Sequence, residues 1–256
     1  MSNQRLIEVV EDIERSILEI IRKHHVTHDE YRIATDLLID SLKEGEESLL
    51  FDVFFEAEAT DVGNVGRKGS TAAIEGPFYV PGAPYLAPPS VMPQRPDERG
   101  EPLIFRGTVS GTDGAPLAGA ELDIWHADAD GLYSSIHPGI PDWNLRGRLR
   151  ASEDGSFEVR TILPPPYEIP KHGPTGRLLN GLGRHCFRPA HLHVKVRAPG
   201  YEELTSQLYF AGGAYLDDDV AHAVREGLVL TLGREGEAWR ASYDFVLEPA
   251  KQEVPA

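Results

Sequence analysis

The first sixty residues carry apolar side chains at helical spacing among many charges. Between residues 3 and 25 the apolar positions recur every three or four residues, which predicts an amphipathic helix. Thr27, followed three residues later by Glu30, has the pattern of a capping box and predicts a second helix that ends near Gly45. A third helix is predicted over about residues 46–58. These apolar stripes must pack on the rest of the chain or on a second subunit.

The pattern changes near residue 62, where glycine and proline become frequent, and after residue 100 short alternating runs dominate. The predicted strands are Leu103–Val109, Ala120–His126, Asn144–Ser152, Ser156–Ile162, His191–Arg197, Leu204–Phe210, Leu228–Leu232 and Ala238–Leu247. Asp154-Gly155 predicts a hairpin turn between two of them. The sequence therefore predicts a mainly β protein, a sandwich or barrel over 101–256, preceded by an α-helical region with a proline-rich loop over 1–100.

Composition narrows the functional classes. The chain has 256 residues and a net charge of −16, and residues 1–61 hold sixteen acidic against six basic side chains. Such an acidic chain repels phosphate backbones, so we expect no nucleic-acid partner. Cys186 is the single cysteine, which excludes an internal disulfide and favours a reducing cytoplasm. No stretch approaches the ~20 apolar residues of a membrane span, and no secretion signal is expected at the N-terminus.

Candidate chemistry centres on a predicted strand that begins after Pro189. His191 and His193 lie two residues apart, so in a strand both project to one face together with Lys195. The apolar residues between them face the other way. Two imidazoles in this arrangement can reach one metal ion. The alternative is an incidental pair of half-buried histidines.

Two tyrosines differ from the others in their surroundings. Tyr133 lies in a loop just after a predicted strand, and Tyr167 lies in the proline-rich segment 164–170, where fixed backbone angles leave few conformations. A phenolate is a hard anionic ligand that suits ferric iron, and two phenolates with two imidazoles would hold iron as Fe(III). Loop packing or partner recognition is the alternative function for such segments.

Several segments together resemble the intradiol ring-cleavage dioxygenases, in particular the catechol and chlorocatechol 1,2-dioxygenases. They are Gly76–Tyr79, Asp123–Asp128, Gly131–Ser134, Asn144–Arg148, Pro166–Pro170 and Gly183–His193. The resemblance runs from about residue 1 to the last predicted strand near residue 247. It implies a catalytic β-sandwich domain after a helical dimerisation region.

The resemblance implies that Tyr133, Tyr167, His191 and His193 bind one non-haem Fe(III) per subunit. It implies cleavage of an aromatic diol by O2 to a cis,cis-muconate. Tyr167 would also act as the phenolate that takes a proton from the substrate. Two further catalytic residues are implied: Arg188, which stabilises negative charge developing on the ring, and Gln207, a polar residue near substrate and oxygen.

Matching positions also predict the substrate pocket. Its walls would be Leu49, Asp52, Val53, Gly76, Pro77, Phe78, Tyr79, Ile169, Val220 and Ala221. The acid at position 52 is more usual in the chlorocatechol and hydroxyquinol branches, whereas Thr205–Leu208 resembles the catechol and actinobacterial chlorocatechol pattern more than the hydroxyquinol one. We therefore expect catechol as the main substrate, with substituted catechols accepted, and a chlorocatechol or hydroxyquinol 1,2-dioxygenase as the alternative.

The resemblance further implies a homodimer formed through the N-terminal helices. A phospholipid between the helical regions is an expectation of the same kind. Two other classes of protein stay open at this point. One is a metalloenzyme in which His191 and His193 bind Fe(II) or Zn(II) with a carboxylate such as Asp128 or Glu203. The other is a non-catalytic β-sandwich binding module whose histidines are incidental.

Overall fold

A computed structural model describes residues 3–251. Helices α1 (Asn3–His24) and α2 (His28–Glu44) follow the predicted periodicity. The capping box is confirmed, because the Thr27 side chain accepts from the Glu30 backbone while the Glu30 side chain accepts from that of Thr27. Gly45 ends α2 in the left-handed conformation with φ 73°. No helix within residues 3–251 is long and apolar enough to cross a membrane.

The described chain forms two compact units, one up to Glu47 and one from Ser48 onward. The third predicted helix is longer than expected and changes its winding: α3 (Glu47–Phe51) leads into a π-helical turn (Asp52–Glu56) and then α4 (Ala57–Asn64). A π turn has wider i→i+5 hydrogen bonding and often occurs at functional sites. The division of the sequence into 1–100 and 101–256 stays a prediction.

Within residues 3–251, twelve strands follow, and one short α-helix and one 3-10 turn (Glu226–Leu228) lie among them. They are β1 (Pro102–Gly111), β2 (Glu121–Trp125), β3 (Arg146–Arg150), β4 (Ser156–Ile162), β5 (Tyr167–Glu168), β6 (Phe187–Arg188), β7 (His191–Arg197), β8 (Leu204–Phe210), β9 (Val229–Leu230), β10 (Gly233–Glu235), β11 (Ala238–Ser242) and β12 (Phe245–Leu247), and helix α5 is Pro174–Gly181. One sheet has the order β10-β11-β1-β12, with β4 also paired to β1, and the other has the order β3-β2-β7-β8-β9. Strands β5 and β6 form a separate pair.

The inner faces of the two large sheets share one apolar core. Phe105 on β1 lies with its ring centroid 5.3 Å from Phe157 on β4 and 6.5 Å from Phe245 on β12. Leu122, on β2 of the other sheet, belongs to the same buried cluster. The predicted mainly β architecture, with a sandwich that follows an α-helical N-terminal region in the sequence, is confirmed.

Two local predictions were wrong in detail. Gly155 does lie in a tight turn and donates its N–H to the Ser152 carbonyl at 2.9 Å, but this turn carries the chain from β3 in one sheet to β4 in the other. It is not a hairpin, because turn residues specify the bend and not which strands pair. The run 238–247 is two strands, separated at Tyr243 and Asp244. The Asp244 side chain accepts the backbone N–H of Thr108 at 2.9 Å and so replaces a ladder bond there.

Gly107 allows β1 to lie close to Tyr243, in the break between β11 and β12. A Cβ at position 107 would lie 1.8 Å from the carbonyl oxygen of Tyr243, which is backbone and cannot rotate away. The space beside Gly63, in α4, is open, since a Cβ added there would have no heavy atom within 4 Å.

We predict that Gly107→Ala lowers the free energy of unfolding by about 3 kcal/mol, at the upper end of the range for overpacking, because β1 must move away from Tyr243. Gly63→Ala is the matched control and should be neutral or stabilising by up to ~1 kcal/mol, since alanine is the better helix former. Urea denaturation followed by circular dichroism measures both. Equal midpoints for the two variants would contradict the close approach seen at Gly107.

Candidate active site

Strand β7 supplies the centre of the site. It lies between β2 and β8, so both of its edges are hydrogen-bonded and its backbone is firmly held. His191 and His193 project to one face and are each 1% exposed, while Leu192, Val194 and Val196 are buried in the sandwich core. The Trp125 ring stacks on His193, with centroids 4.7 Å apart and planes 9° apart. The alternation predicted for this strand is confirmed.

Hydrogen bonds fix how the imidazoles face the site. Nδ1 of His191 lies 2.7 Å from the Pro189 carbonyl oxygen. Because a carbonyl only accepts, Nδ1 carries the proton and Nε2 presents its lone pair to the site. The Nε2 atoms of His191 and His193 are 3.0 Å apart. Burial lowers the pKa of His191 to about 3 and, with the charge of its neighbours, the pKa of His193 well below its ordinary value, so both rings are neutral.

Tyr133 is held in the loop between β2 and β3. Asp128 fixes this loop by accepting two of its backbone N–H groups, each at 2.9 Å. Gly131 adopts φ 80°, and a Cβ on it would lie 2.8 Å from the Cβ of Tyr167. Only glycine allows the loop to lie so close to β5. The buried Arg146 donates to the Ser134 hydroxyl at 3.0 Å and braces the far side of the loop.

Tyr167 begins the short strand β5 and pairs with Arg188 of β6. Its ring centroid lies 5.4 Å from that of Tyr133 and 5.6 Å from that of His191. The Tyr133 hydroxyl also lies 3.3 Å from Nε2 of His193. Burial raises the pKa of both phenols and outweighs the opposing effect of Arg188, so each is protonated unless a metal ion binds its oxygen.

Four donor atoms from three separate segments therefore converge in a buried space. Atoms that share a metal ion at roughly 2.0–2.3 Å lie about 3 Å from one another. The separations of 3.0 Å between the two imidazole nitrogens and 3.3 Å from Tyr133 to His193 have this size. The residues present fit a single metal ion held by two neutral imidazoles and two phenolates. Metal charge would lower the pKa of the phenols and release their protons.

Arg188 places a buried positive charge beside the donors. Its Nη1 lies 3.4 Å from Nε2 of His191, and its side chain is 5% exposed. Asp219 accepts from Nε at 3.1 Å and from Nη2 at 3.0 Å, and Gln207 accepts from Nη2 at 2.9 Å. Burial would lower the pKa of Arg188, but Asp219 raises it well above its ordinary value, so the charge is permanent.

A narrow pocket opens beside these groups. It is lined by Leu49, Asp52, Val53, Ile74, Gly76, Pro77, Phe78, Tyr167, Ile169, Arg188, His193 and Ala221. Eight of the ten wall positions expected from the sequence are among them. Tyr79 instead packs its ring against Trp125 at an angle of 51°, outside the lining, and donates to Asp123 at 3.0 Å. Val220 is buried in the cluster behind the pocket.

Polar contacts hold the pocket walls. Glu56, in the π-helical turn, accepts the backbone N–H of Glu75 at 2.8 Å and that of Gly76 at 3.4 Å. Gln207 does not line the pocket, but its amide donates to the Ile74 carbonyl at 2.9 Å and lies 3.3 Å from Nδ1 of His193. Asp52 accepts from the Ser48 hydroxyl at 2.7 Å. Burial raises the pKa of Asp52, and the nearby Glu75 adds to the rise.

Sequence reasoning missed four residues of this site. Ile74 lines the pocket two residues before Gly76, and only its nearness to that segment pointed to it. Tyr209 hydrogen-bonds both Arg188 and Gln207. Asp219 stands in a run of three acids that reads as a solvated turn, and Trp125 reads as ordinary core. No pattern in the sequence around Asp219 or Trp125 indicates that the residue belongs to an active site.

The carboxylates of the alternative metal site are engaged elsewhere. Asp128 binds its own loop and forms an ion pair with Arg95 at 3.1 Å. Glu203 accepts from Lys195 at 3.1 Å and pairs with Arg197. Within the described part of the chain, both carboxylates are thus held by partners other than the two histidines.

Comparison with known proteins gives matches along almost the whole chain. A family profile for the N terminus of catechol dioxygenases matches residues 3–70, and a dioxygenase profile matches residues 74–249. The chlorocatechol 1,2-dioxygenase of Rhodococcus opacus is 42% identical over 255 residues, which cover 97% of this chain and 99% of that protein.

Solved structures of 1,2-dioxygenases share the fold of this chain. The 3-chlorocatechol 1,2-dioxygenase from Rhodococcus opacus superimposes with a TM-score of 0.94 at 45% identity, covering 97% of this chain and 100% of that one. The catechol 1,2-dioxygenase from Pseudomonas arvilla gives 0.85 at 32% identity, covering 99% of this chain and 88% of that one. Profiles that span nearly the whole sequence and structures that share the whole fold leave one conclusion: the chain belongs to the intradiol ring-cleaving dioxygenases, as an enzyme of the catechol 1,2-dioxygenase type.

Proposed function

We propose that this enzyme opens chlorocatechols, and catechol itself, between the two hydroxyl-bearing carbons with O2, using one ferric ion per subunit. Tyr133, Tyr167, His191 and His193 would hold the ion. The observation that carries the proposal is the convergence of two phenols and two neutral imidazoles at the end of a narrow apolar pocket. A ferric ion bound there would draw electron density from a bound diol and make its ring open to attack by O2.

The similarities favour chlorocatechol over the catechol expected from the sequence. The chlorocatechol enzymes named above exceed the catechol enzyme in identity and TM-score. The pocket chemistry points the same way, since its wall side chains are mostly apolar and a chlorine substituent needs no hydrogen-bond partner.

A third hydroxyl, as in hydroxyquinol, would need a polar partner in the same wall. Of the described residues that line the pocket, Asp52 is the only carboxylate, and one of its two oxygens accepts from Ser48. A buried hydroxyl without a partner costs about 1–3 kcal/mol, so a hydroxylated ring would depend on this one side chain, whereas a chlorinated ring needs no such partner.

Tyr167 is the better placed of the two phenols to exchange a proton with the substrate. It lines the pocket, whereas Tyr133 lies behind it against His193. As phenolate, Tyr167 would accept one proton from a substrate hydroxyl and be held near the ring by β5. The Tyr133 side chain would stay braced by its loop and keep its phenolate oxygen among the donors.

Arg188 would stabilise the negative charge that develops on the ring. The guanidinium lines the pocket and keeps its charge at any working pH. Gln207 contacts Arg188, the Ile74 carbonyl and His193, and would fix their positions relative to one another. The apolar walls exclude water, which strengthens the interaction between Arg188 and that charge.

The test of substrate class is a steady-state comparison of catechol, 3-chlorocatechol, 4-chlorocatechol and hydroxyquinol, with products identified by mass spectrometry. We expect a chlorocatechol to have the highest kcat/KM, catechol to be within about 100-fold of it, and hydroxyquinol to be poorest, since one wall contact is worth ~1–3 kcal/mol. Ring opening must occur between the hydroxyl-bearing carbons. A preference for hydroxyquinol would overturn the substrate proposal, and absence of ring cleavage would overturn the function.

A second prediction concerns Tyr167→Phe. We expect kcat to fall by at least ~100-fold, because the proton acceptor is lost, and the visible absorption of the tyrosinate–iron(III) pair to weaken and shift. Tyr85→Phe is the matched control, since Tyr85 is 48% exposed and lies outside the pocket lining. Undiminished ring cleavage by Tyr167→Phe would show that Tyr167 is not the proton acceptor.

We also propose a homodimer formed through the N-terminal helices. Helix α1 has no buried residue, and its apolar side chains Leu6, Ile7, Val10, Ile13, Ile17 and Ile20 are all more than 40% exposed. A continuous apolar face of this kind is typical of a protein interface. The phospholipid between the helical regions and the cytoplasmic location stay predictions.

The dimer is tested with Ile13→Glu/Ile17→Glu, which places two charges on that face. We expect the wild-type protein to sediment as a dimer and this variant as a monomer, because burying an unpaired carboxylate is costly. Analytical ultracentrifugation decides. A monomeric wild type, or an unchanged dimer in the variant, would exclude α1 as the contact.

A further inference from the structure

Asp219 is a buried carboxylate that the proposed chemistry does not use. Its side chain is 2% exposed and faces the guanidinium of Arg188, with one oxygen on Nε at 3.1 Å and the other on Nη2 at 3.0 Å. Burial would raise the pKa of Asp219, but Arg188 holds it below its ordinary value, so the carboxylate is charged. Two parallel charge-assisted hydrogen bonds fix both the distance and the plane of the guanidinium.

This contact occupies one edge of Arg188 and leaves another edge for the site. A guanidinium has five N–H groups, and Nε and Nη2 are used by Asp219, Gln207 and Tyr209. Nη1 lies 3.4 Å from Nε2 of His191, which is longer than a good hydrogen bond. Asp219 therefore turns the remaining donors of Arg188 toward the donor atoms and the pocket.

The same carboxylate also fixes a pocket wall. Its oxygens accept the backbone N–H groups of Ala221 at 3.2 Å and Ala223 at 3.1 Å. Ala221 lines the pocket. One side chain thus sets both the direction of the positive charge and the position of the wall that carries Ala221.

We propose that Asp219 is a positioning residue for ring cleavage, which acts by holding Arg188 with its Nη1 edge toward the reacting ring. The proposal rests on the proposed function, because it assigns to Arg188 the stabilisation of charge on a bound diol. Asp219 itself does not touch the substrate.

A double-mutant cycle tests whether Asp219 acts through Arg188. We expect Asp219→Asn to lower kcat about 10- to 100-fold with a smaller change in KM, the range known when a group that orients an active residue is lost. Iron content and the visible absorption band should stay at wild-type level. Arg188→Met should lower kcat more, and Arg188→Met/Asp219→Asn should fall within about threefold of Arg188→Met, since nothing is left to position.

A second readout does not need bound iron. In iron-free protein, Arg188→Met leaves Asp219 buried without its partner and should lower the Tm. Adding Asp219→Asn should then raise the Tm above that of Arg188→Met, although the same change lowers it in the wild type. A change in Tm of opposite sign in the two backgrounds indicates that Asp219 and Arg188 are energetically coupled. If Asp219→Asn does not fold alone, Arg188→Met and the double variant still give the comparison.

Asp61→Asn is the matched control. Asp61 forms a two-point contact with Arg225, but neither is among the residues that line the pocket. We expect it to lower the Tm slightly and leave kcat at the wild-type value.

Failure of the positioning role and failure of the proposed function give different results. If Asp219→Asn lowers kcat by the same factor in the Arg188→Met background as in the wild type, or lowers the Tm equally in both, the positioning role is overturned. If wild-type protein does not cleave any catechol, the proposed function fails first, and the Tm comparison still reports on the pair.

Discussion

The alternation of side chains along β7 is the constraint on which the site depends. A strand paired on both edges must send every second side chain into the sandwich core, and Leu192 and Val194 fill that place completely. His191 and His193 consequently share the opposite face, where burial keeps both rings neutral. The Pro189 carbonyl then determines which nitrogen of His191 carries the proton. The register of β7 in its sheet thus determines which face the two histidines share, how deeply they are buried and which nitrogen of His191 carries the proton.

The second constraint is electrostatic. A guanidinium buried beside two imidazoles and two phenols would be unstable without a compensating charge. Asp219 provides that charge, and Tyr209 and Gln207 share the remaining N–H of Nη2. The result is a fixed positive potential in a pocket whose walls carry few dipoles of their own. A preorganised charge needs no rearrangement when negative charge develops nearby.

Local patterns in the sequence predicted the local structure well. The capping box at Thr27 and the alternation from His191 depend on neighbouring residues, and both are confirmed. The turn at Gly155 was assigned to the wrong pairing because sheet membership is decided by packing between distant segments. Asp219 was missed for the same reason, since its burial depends on a partner 31 residues earlier in the chain. The winding change in the π-helical turn likewise has no periodicity signal over five residues.

The pocket walls and the donor strand belong to different parts of the fold. Walls come from the helical segment around Leu49 and Val53, the loop at 76–78 and the loop that carries Ala221. The histidines come from the middle of a sheet whose other face is the core. Substitutions that reshape the space around a ring can therefore accumulate in the walls while the strand that carries the two histidines is left intact. Such a separation allows an enzyme lineage to acquire new aromatic substrates without rebuilding its chemistry.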